Sequence, residues 1–118
     1  MTRFARSFAA AVRGIVHVYQ HERNIRIHAA IAILVIAAAL FFRVSAGEWF
    51  ALGVCIAFVF TLEMVNSVIE RVLDVVKPRL DHTVFDIKDI MAGAVLVAAL
   101  FSFLVGVFIF VPRLLGIR

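Results

Sequence analysis

Three carboxylates share one stripe of an otherwise apolar segment. The segment reads Glu63-Met64-Val65-Asn66-Ser67-Val68-Ile69-Glu70-Arg71-Val72-Leu73-Asp74. At helical spacing, Glu63, Glu70 and Asp74 fall within about 40° of one another. Asn66 and Ser67 flank them. An acid at the middle of a membrane costs roughly 2.5–3.5 kcal/mol on insertion scales, and like charges on one helix face repel. Glu63 sits near the edge of the hydrocarbon, where the cost is smaller. Something must still offset the stripe: cations, a metal ion or partner helices. A polar clamp between helices would explain a single Asn or Ser, but three acids on one face are too many for a clamp alone.

Two other stretches supply partners. Glu22 stands in His21-Glu22-Arg23-Asn24-Ile25-Arg26-Ile27-His28, and Lys88-Asp89 precedes a long apolar run. Carboxylates beside a lysine at a water-facing edge suit Mg²⁺ and phosphate. Mg²⁺ takes one or two carboxylates and completes its shell with phosphate and water oxygens. The lysine offers a compact positive charge. Blander readings stand beside these. Glu22 with Arg26 makes an ordinary i,i+4 surface pair, and Lys88-Asp89 suits a helix start, with Asp89 at the positive end of the dipole.

Other chemistries fail on spacing. His17 and His21 are four apart, and His21-Glu22 begins like a metalloprotease motif, but position 25 is Ile25 rather than histidine. His82 reads as a solvated loop residue. There is no glycine-rich phosphate loop and no kinase catalytic-loop signature, so any nucleotide is held without the familiar glycine cradle. Cys55 is the one cysteine and lies in an apolar run, which suits packing and rules out a disulfide scaffold.

The elements that position these residues follow from composition. The 118 residues are 64% hydrophobic and 17% charged, with a mean hydropathy of +1.07. Soluble domains carry about 45–50% apolar and about 25% charged residues. A membrane protein of one domain, 1–118, is expected. A spanning helix needs about 20 apolar residues. Ile90 to Val111 gives 22 without a charge. Trp49 to Leu62 is also uncharged and its pattern continues to Leu73. Ala29 to Phe42 reaches spanning length if Ile25 and Ile27 join it while Arg26 and His28 snorkel. Three membrane helices result, over 25–42, 49–73 and 88–111. Gly53, Ala57, Gly93, Ala94 and Ala98 are small residues that let such helices approach.

Residues 1–21 differ. Phe4, Phe8, Val12, Ile15, Val16 and Tyr19 recur at three- and four-residue steps, with Arg3, Arg6 and Arg13 mostly elsewhere. This is an amphipathic helix lying on the membrane surface. A signal peptide would need a longer central apolar run and a cleavage site. Pro78 ends the second span, 81–86 forms a short polar loop, and Pro112 closes the third span.

The formal charge is +4, from 12 cations. They sit at the ends of apolar runs, which fits membrane flanks and not a nucleic-acid surface. Arg3, Arg6, Arg13, Arg23, Arg26, Arg71, Lys77, Arg79 and Lys88 lie on one side of the membrane, and Arg43, Arg113 and Arg118 on the other. The richer side is cytoplasmic, so the amino terminus faces the cytoplasm.

The blocks Glu22 to His28, Glu63 to Asp74 and Lys88-Asp89-Ile90-Met91-Ala92-Gly93-Ala94 together resemble the small integral-membrane diacylglycerol kinases of bacteria, a family that includes undecaprenol kinases. The similarity runs in order over nearly the whole chain. The resemblance implies a homotrimer in the bacterial cytoplasmic membrane. Each subunit would have three spans and a surface helix, and the active sites would be shared between subunits. The implied reaction transfers the γ-phosphoryl group of MgATP to a lipid hydroxyl at the cytoplasmic interface. Carried over by position, Glu63 would be the catalytic base, with Arg26 and His28 beside the lipid. Glu22 and Glu70 would hold Mg²⁺. Asn66, Asp74, Lys88 and Asp89 would line the nucleotide site with them, and Arg3 matches a family arginine near nucleotide and lipid. His28 departs from the Gram-negative enzymes, which carry an acid there. That departure tilts the expected lipid toward a polyprenol.

Two other classes compete. A small proton-coupled transporter also uses a membrane acid, although here the acids gather at one edge and not at the midplane. A structural subunit would use the stripe only to clamp helices.

Overall fold

The computed structural model describes residues 2–76 and 82–117. Four helices follow in order: α1 (Arg3–His21), α2 (Arg23–Phe42), α3 (Ala46–Val76) and α4 (His82–Leu114). Helices α2, α3 and α4 are long and apolar enough to cross a membrane. The all-helical class, the surface helix and the three spans are as the sequence implies.

Thr2 starts α1 by accepting a hydrogen bond from the Ala5 amide at 3.1 Å. Its apolar ridge stays on one side, with Phe4, Phe8, Ile15 and Tyr19 all exposed. A single extended residue, Glu22 (φ −114°, ψ 113°), breaks the chain between α1 and α2. Arg26 reaches back over this break and donates to the carbonyls of Tyr19 and Gln20 at 2.9 and 3.0 Å. It thereby satisfies orphan carbonyls at the end of α1. The Glu22–Arg26 surface pair that spacing allowed is replaced by this cap.

The spans run past the lengths hydropathy suggested. Ser45 and Glu48 form a capping box: the Ser45 hydroxyl accepts from the Glu48 amide (3.2 Å), and the Glu48 carboxylate accepts from the Ser45 amide (2.8 Å). Helix α3 therefore begins at Ala46, ahead of Trp49. At the other end α4 begins at His82, so the polar loop expected over 81–86 is helical from 82 on. His82 is an exposed residue of the first turn. Lys88 and Asp89 consequently lie in the second turn and beyond and do not open the helix. Pro78 lies outside the described residues. Pro112 sits within α4 and does not stop it at Val111. The stop comes one turn later, where Gly116 (φ 75°) donates to the Arg113 carbonyl and Ile117 to that of Pro112, a Schellman motif.

The buried core lies at one end of the molecule. Ala39, Val44, Leu52 and Ile109 form it, with Val35, Phe42, Trp49, Val105 and Phe110 packed around. Helices α3 and α4 make the main antiparallel pair, and α2 leans on α3. The molecule is only 20 Å thick in its thinnest dimension, about two helix diameters. Its three spans thus form a slab with broad apolar faces. A Cβ added at Gly53 or Gly93 would meet no atom within 4 Å. These glycines do not serve close packing inside the chain, as their small size suggested, whereas Ala98 does, being buried.

Candidate active site

The buried seam of α3 reads Leu52, Cys55, Val59, Glu63 and Ser67. The steps are three or four residues throughout, so Glu63 and Ser67 continue the face that packs inward. Glu63 and Ser67 are only 5% and 3% exposed. Glu70 and Asp74 share the stripe but are progressively freer. Contact across to α2 explains the change. Ser67 donates its hydroxyl to Glu22 Oε1 at 2.8 Å, which places the start of α2 level with Ser67. The nine residues of α3 beyond it, 68–76, project past α2 by about 13 Å.

Each acid of the stripe has a partner. His28 Nε2 lies 3.3 Å from Glu63 Oε1. Arg71 donates to Glu22 Oε1 at 3.3 Å and to Ser67 Oγ at 3.4 Å. Asn66 donates to Glu70 Oε1 at 3.5 Å. Lys88, coming from α4, donates to Asp74 Oδ1 at 3.2 Å. Glu22, Glu63, Glu70, Asp74, Asn66, His28 and Lys88 thus line one strip along α3. Asp89 is exposed nearby on α4. Arg3 stands at the far end of α1, about 27 Å along the helix from His21, outside the strip of one chain. Arg26 is engaged with the end of α1.

Two members of the strip were not among the expected site residues. In the sequence Ser67 reads only as a flank of the acids, yet it binds Glu22. Its place on the seam of α3, four residues after Glu63, carried that signal. By charge alone Arg71 reads as a membrane-flank cation. Its position four residues after Ser67, on the same face, is what lets it touch both Ser67 and Glu22.

Among the described residues, no three of His, Cys, Asp and Glu gather as a ready-made metal cage. Glu22 and Glu70 still fit a magnesium ion that draws most of its ligands from phosphates and water. Glu70 is three residues beyond Ser67, the partner of Glu22, on the same side of α3 and about 4.5 Å further along its axis. The zinc alternative gains nothing: His17 and His21 stack on each other with centroids 4.2 Å apart, and His21 Nδ1 donates to the His17 carbonyl.

An apolar cavity of about 310 Å³ opens between the three spans. His28, Ile31, Cys55, Phe60, Ser102 and Phe103 are among its walls. His28 therefore faces both this cavity and Glu63.

The prokaryotic diacylglycerol kinase family model matches residues 9–110. The undecaprenol kinase of Bacillus subtilis (strain 168) is 36% identical over 114 residues, covering 97% of this chain and 93% of that protein. A diacylglycerol kinase of a Synechocystis species is 34% identical over 112 residues, covering 94% of this chain and 64% of that protein. No solved structure matches the chain. Read with the acidic strip and the three spans, these matches place the chain in the prokaryotic diacylglycerol kinase family.

Proposed function

We propose that this lipid kinase phosphorylates the hydroxyl of undecaprenol, with ATP as donor, at the cytoplasmic face of the bacterial inner membrane. The products are the lipid phosphate and ADP. Family membership disposes of the transporter and structural-subunit alternatives. Full-length similarity to a protein named undecaprenol kinase, against partial coverage of one named diacylglycerol kinase, favours the polyprenol. So does His28, a histidine where the Gram-negative enzymes of the resembled family carry an acid.

The observation that carries the reading is the graded burial of one stripe. Glu63 is enclosed, while further along the same face Glu70 is half-buried and Asp74 is exposed. A lipid hydroxyl entering from the bilayer meets Glu63, and a nucleotide arriving from the cytoplasm meets the outer end. Phosphoryl transfer demands positioning and charge neutralisation more than covalent chemistry. Glu63 takes the hydroxyl proton. Glu22 and Glu70 hold the magnesium ion, which neutralises the phosphates when bound. Lys88, released from Asp74, faces a phosphate oxygen, and Asn66, Asp74, Asp89 and Arg3 complete the nucleotide site. Arg26 and His28 border the lipid headgroup. The thin slab and its uncovered glycines suit a homotrimer, in which Arg3 of one subunit can serve the strip of another.

Replacing Glu63 by Gln tests the assignment. Transfer to lipid should collapse while MgATP binding persists. Normal lipid phosphorylation in Glu63→Gln would remove Glu63 from the chemistry. Labelled ATP with undecaprenol and diacylglycerol in competition tests the substrate, and a preference for diacylglycerol overturns that part.

A further inference from the structure

We infer that His28 carries the proton away from Glu63 after each phosphoryl transfer. The inference rests on the reading of Glu63 as base and adds the step that reading leaves incomplete. A base that accepts a proton must lose it before the next turnover. The Glu63 side chain is 6% exposed, so water reaches it poorly. Among the described residues, its one polar partner is His28, 3.3 Å away and 23% exposed.

Position favours the same route. His28 is five residues into α2, about 8 Å along the axis from the helix start, where Glu22 and Arg23 meet water. Neighbouring charges are otherwise engaged. Glu22 is bound by Ser67 and Arg71, Glu70 by Asn66, and Asp74 by Lys88. From α1, His17 and His21 are stacked on each other. On the cavity side the other titratable group is the buried Cys55 thiol. Imidazole is suited to the task because it accepts at one nitrogen and releases from the other.

The steps balance. As the lipid oxygen bonds to the γ-phosphorus, its proton passes to the Glu63 carboxylate. The bond from phosphorus to the bridging oxygen breaks, and ADP leaves with the electron pair. Glu63, now a carboxylic acid, gives the proton to the lone pair of His28 Nε2. The imidazolium releases a proton from Nδ1 to water, and Glu63 is again a carboxylate; tautomer exchange through water then moves the ring proton from Nε2 back to Nδ1, which restores the Nε2 lone pair before the next turnover. In this step His28 exchanges a proton with Glu63 and with water and forms no bond to the lipid oxygen or the phosphorus.

The test separates the first turnover from later ones. Purified protein in lipid micelles is mixed with MgATP and undecaprenol, and lipid phosphate is followed through one turnover and then at steady state. His28→Gln retains a hydrogen-bonding side chain but cannot pass a proton on. Because His28 also borders the lipid, the readout is the difference between the two phases: the steady-state rate should fall about 100-fold further than the first-turnover rate, at the low end of what proton transfer contributes. In His28→Ala, added imidazole should restore the steady state as its neutral form rises in concentration. Unchanged steady-state turnover in both variants overturns the inference. So does an equal loss in both phases for His28→Gln, or an absence of imidazole rescue in His28→Ala that still binds MgATP. Glu63→Gln in the same assay distinguishes the two failures. If it keeps its first turnover, the base assignment falls. If it loses that turnover while the His28 variants behave as the parent, only the relay falls.

Discussion

Arg113 grips Glu48 at two points, Nη1 to Oε2 at 2.9 Å and Nη2 to Oε1 at 2.6 Å. The pair ties the end of α4 to the start of α3 beside the buried core. At the opposite end of the same two helices Lys88 meets Asp74. Glu48 to Asp74 and Lys88 to Arg113 span nearly equal lengths of helix, about 38 Å. The two ion pairs therefore stand at matching ends of the antiparallel helices α3 and α4, separated by more than a hydrocarbon layer about 30 Å thick.

The pairs should differ in what they do. The Arg113 side chain is 8% exposed, and it also donates to the Ile109 carbonyl. Removing one member of an enclosed pair leaves the other without compensation. Arg113→Ala and Glu48→Gln are expected to lower the melting temperature in detergent. The specific activity of the protein that stays folded should be unchanged, since the pair stands at the end away from the strip. A loss of MgATP affinity in either variant would contradict this.

Lys88 with Asp74 should behave in the opposite way. Both side chains are substantially exposed, at 35% and 67%, and such pairs contribute about 0–1 kcal/mol to stability. Lys88→Ala should leave thermal stability almost unchanged and weaken nucleotide binding, as measured by equilibrium titration with MgATP. A melting temperature lowered as far as in Arg113→Ala, with binding intact, would make this pair structural.

Ser67 holds one of the two proposed magnesium carboxylates. Its hydroxyl holds Glu22 at 2.8 Å from the same face that presents Glu70. A hydrogen bond to a charged group contributes about 1.5 kcal/mol net or more, equivalent to about a tenfold change in an equilibrium constant. Ser67→Ala should therefore raise the MgATP concentration needed for half-saturation about tenfold. Its maximal rate should change little, because Glu63 and His28 are untouched. A large fall in maximal rate at unchanged nucleotide affinity would show that Ser67 serves the chemistry instead.

The legible parts of this molecule were those governed by period and burial. Apolar runs marked the three spans, and the 100° arithmetic put Glu63, Glu70 and Asp74 on one stripe, which the helix keeps. Helix ends were less legible because hydropathy reports the membrane and not the helix. The uncharged run starts at Trp49, yet Glu48 with Ser45 forms the cap that starts α3 three residues earlier. Residues 82–86 looked like loop because they are polar, yet a polar sequence can stay helical outside the bilayer. The destination of long side chains was the least legible. Arg26 could have paired with Glu22 four residues away and instead caps α1 across a break in the chain. Arg71 could have been a headgroup contact and instead binds Glu22, 49 residues distant in sequence. Such choices depend on where two helices cross, which spacing within one helix does not encode.

Orientation gives the last expectation. By the cation imbalance the amino terminus and the end of α3 are expected in the cytoplasm, and the α2–α3 connection outside. Ala46 and Val75 sit near opposite ends of α3, and both are exposed. The single native thiol, Cys55, is buried and should stay silent toward a membrane-impermeant maleimide. Ala46→Cys should then label in intact spheroplasts, and Val75→Cys only after the membrane is opened. The reverse pattern would put Glu70, Asp74 and Lys88 on the side without ATP, and the kinase reading of the strip could not stand with it.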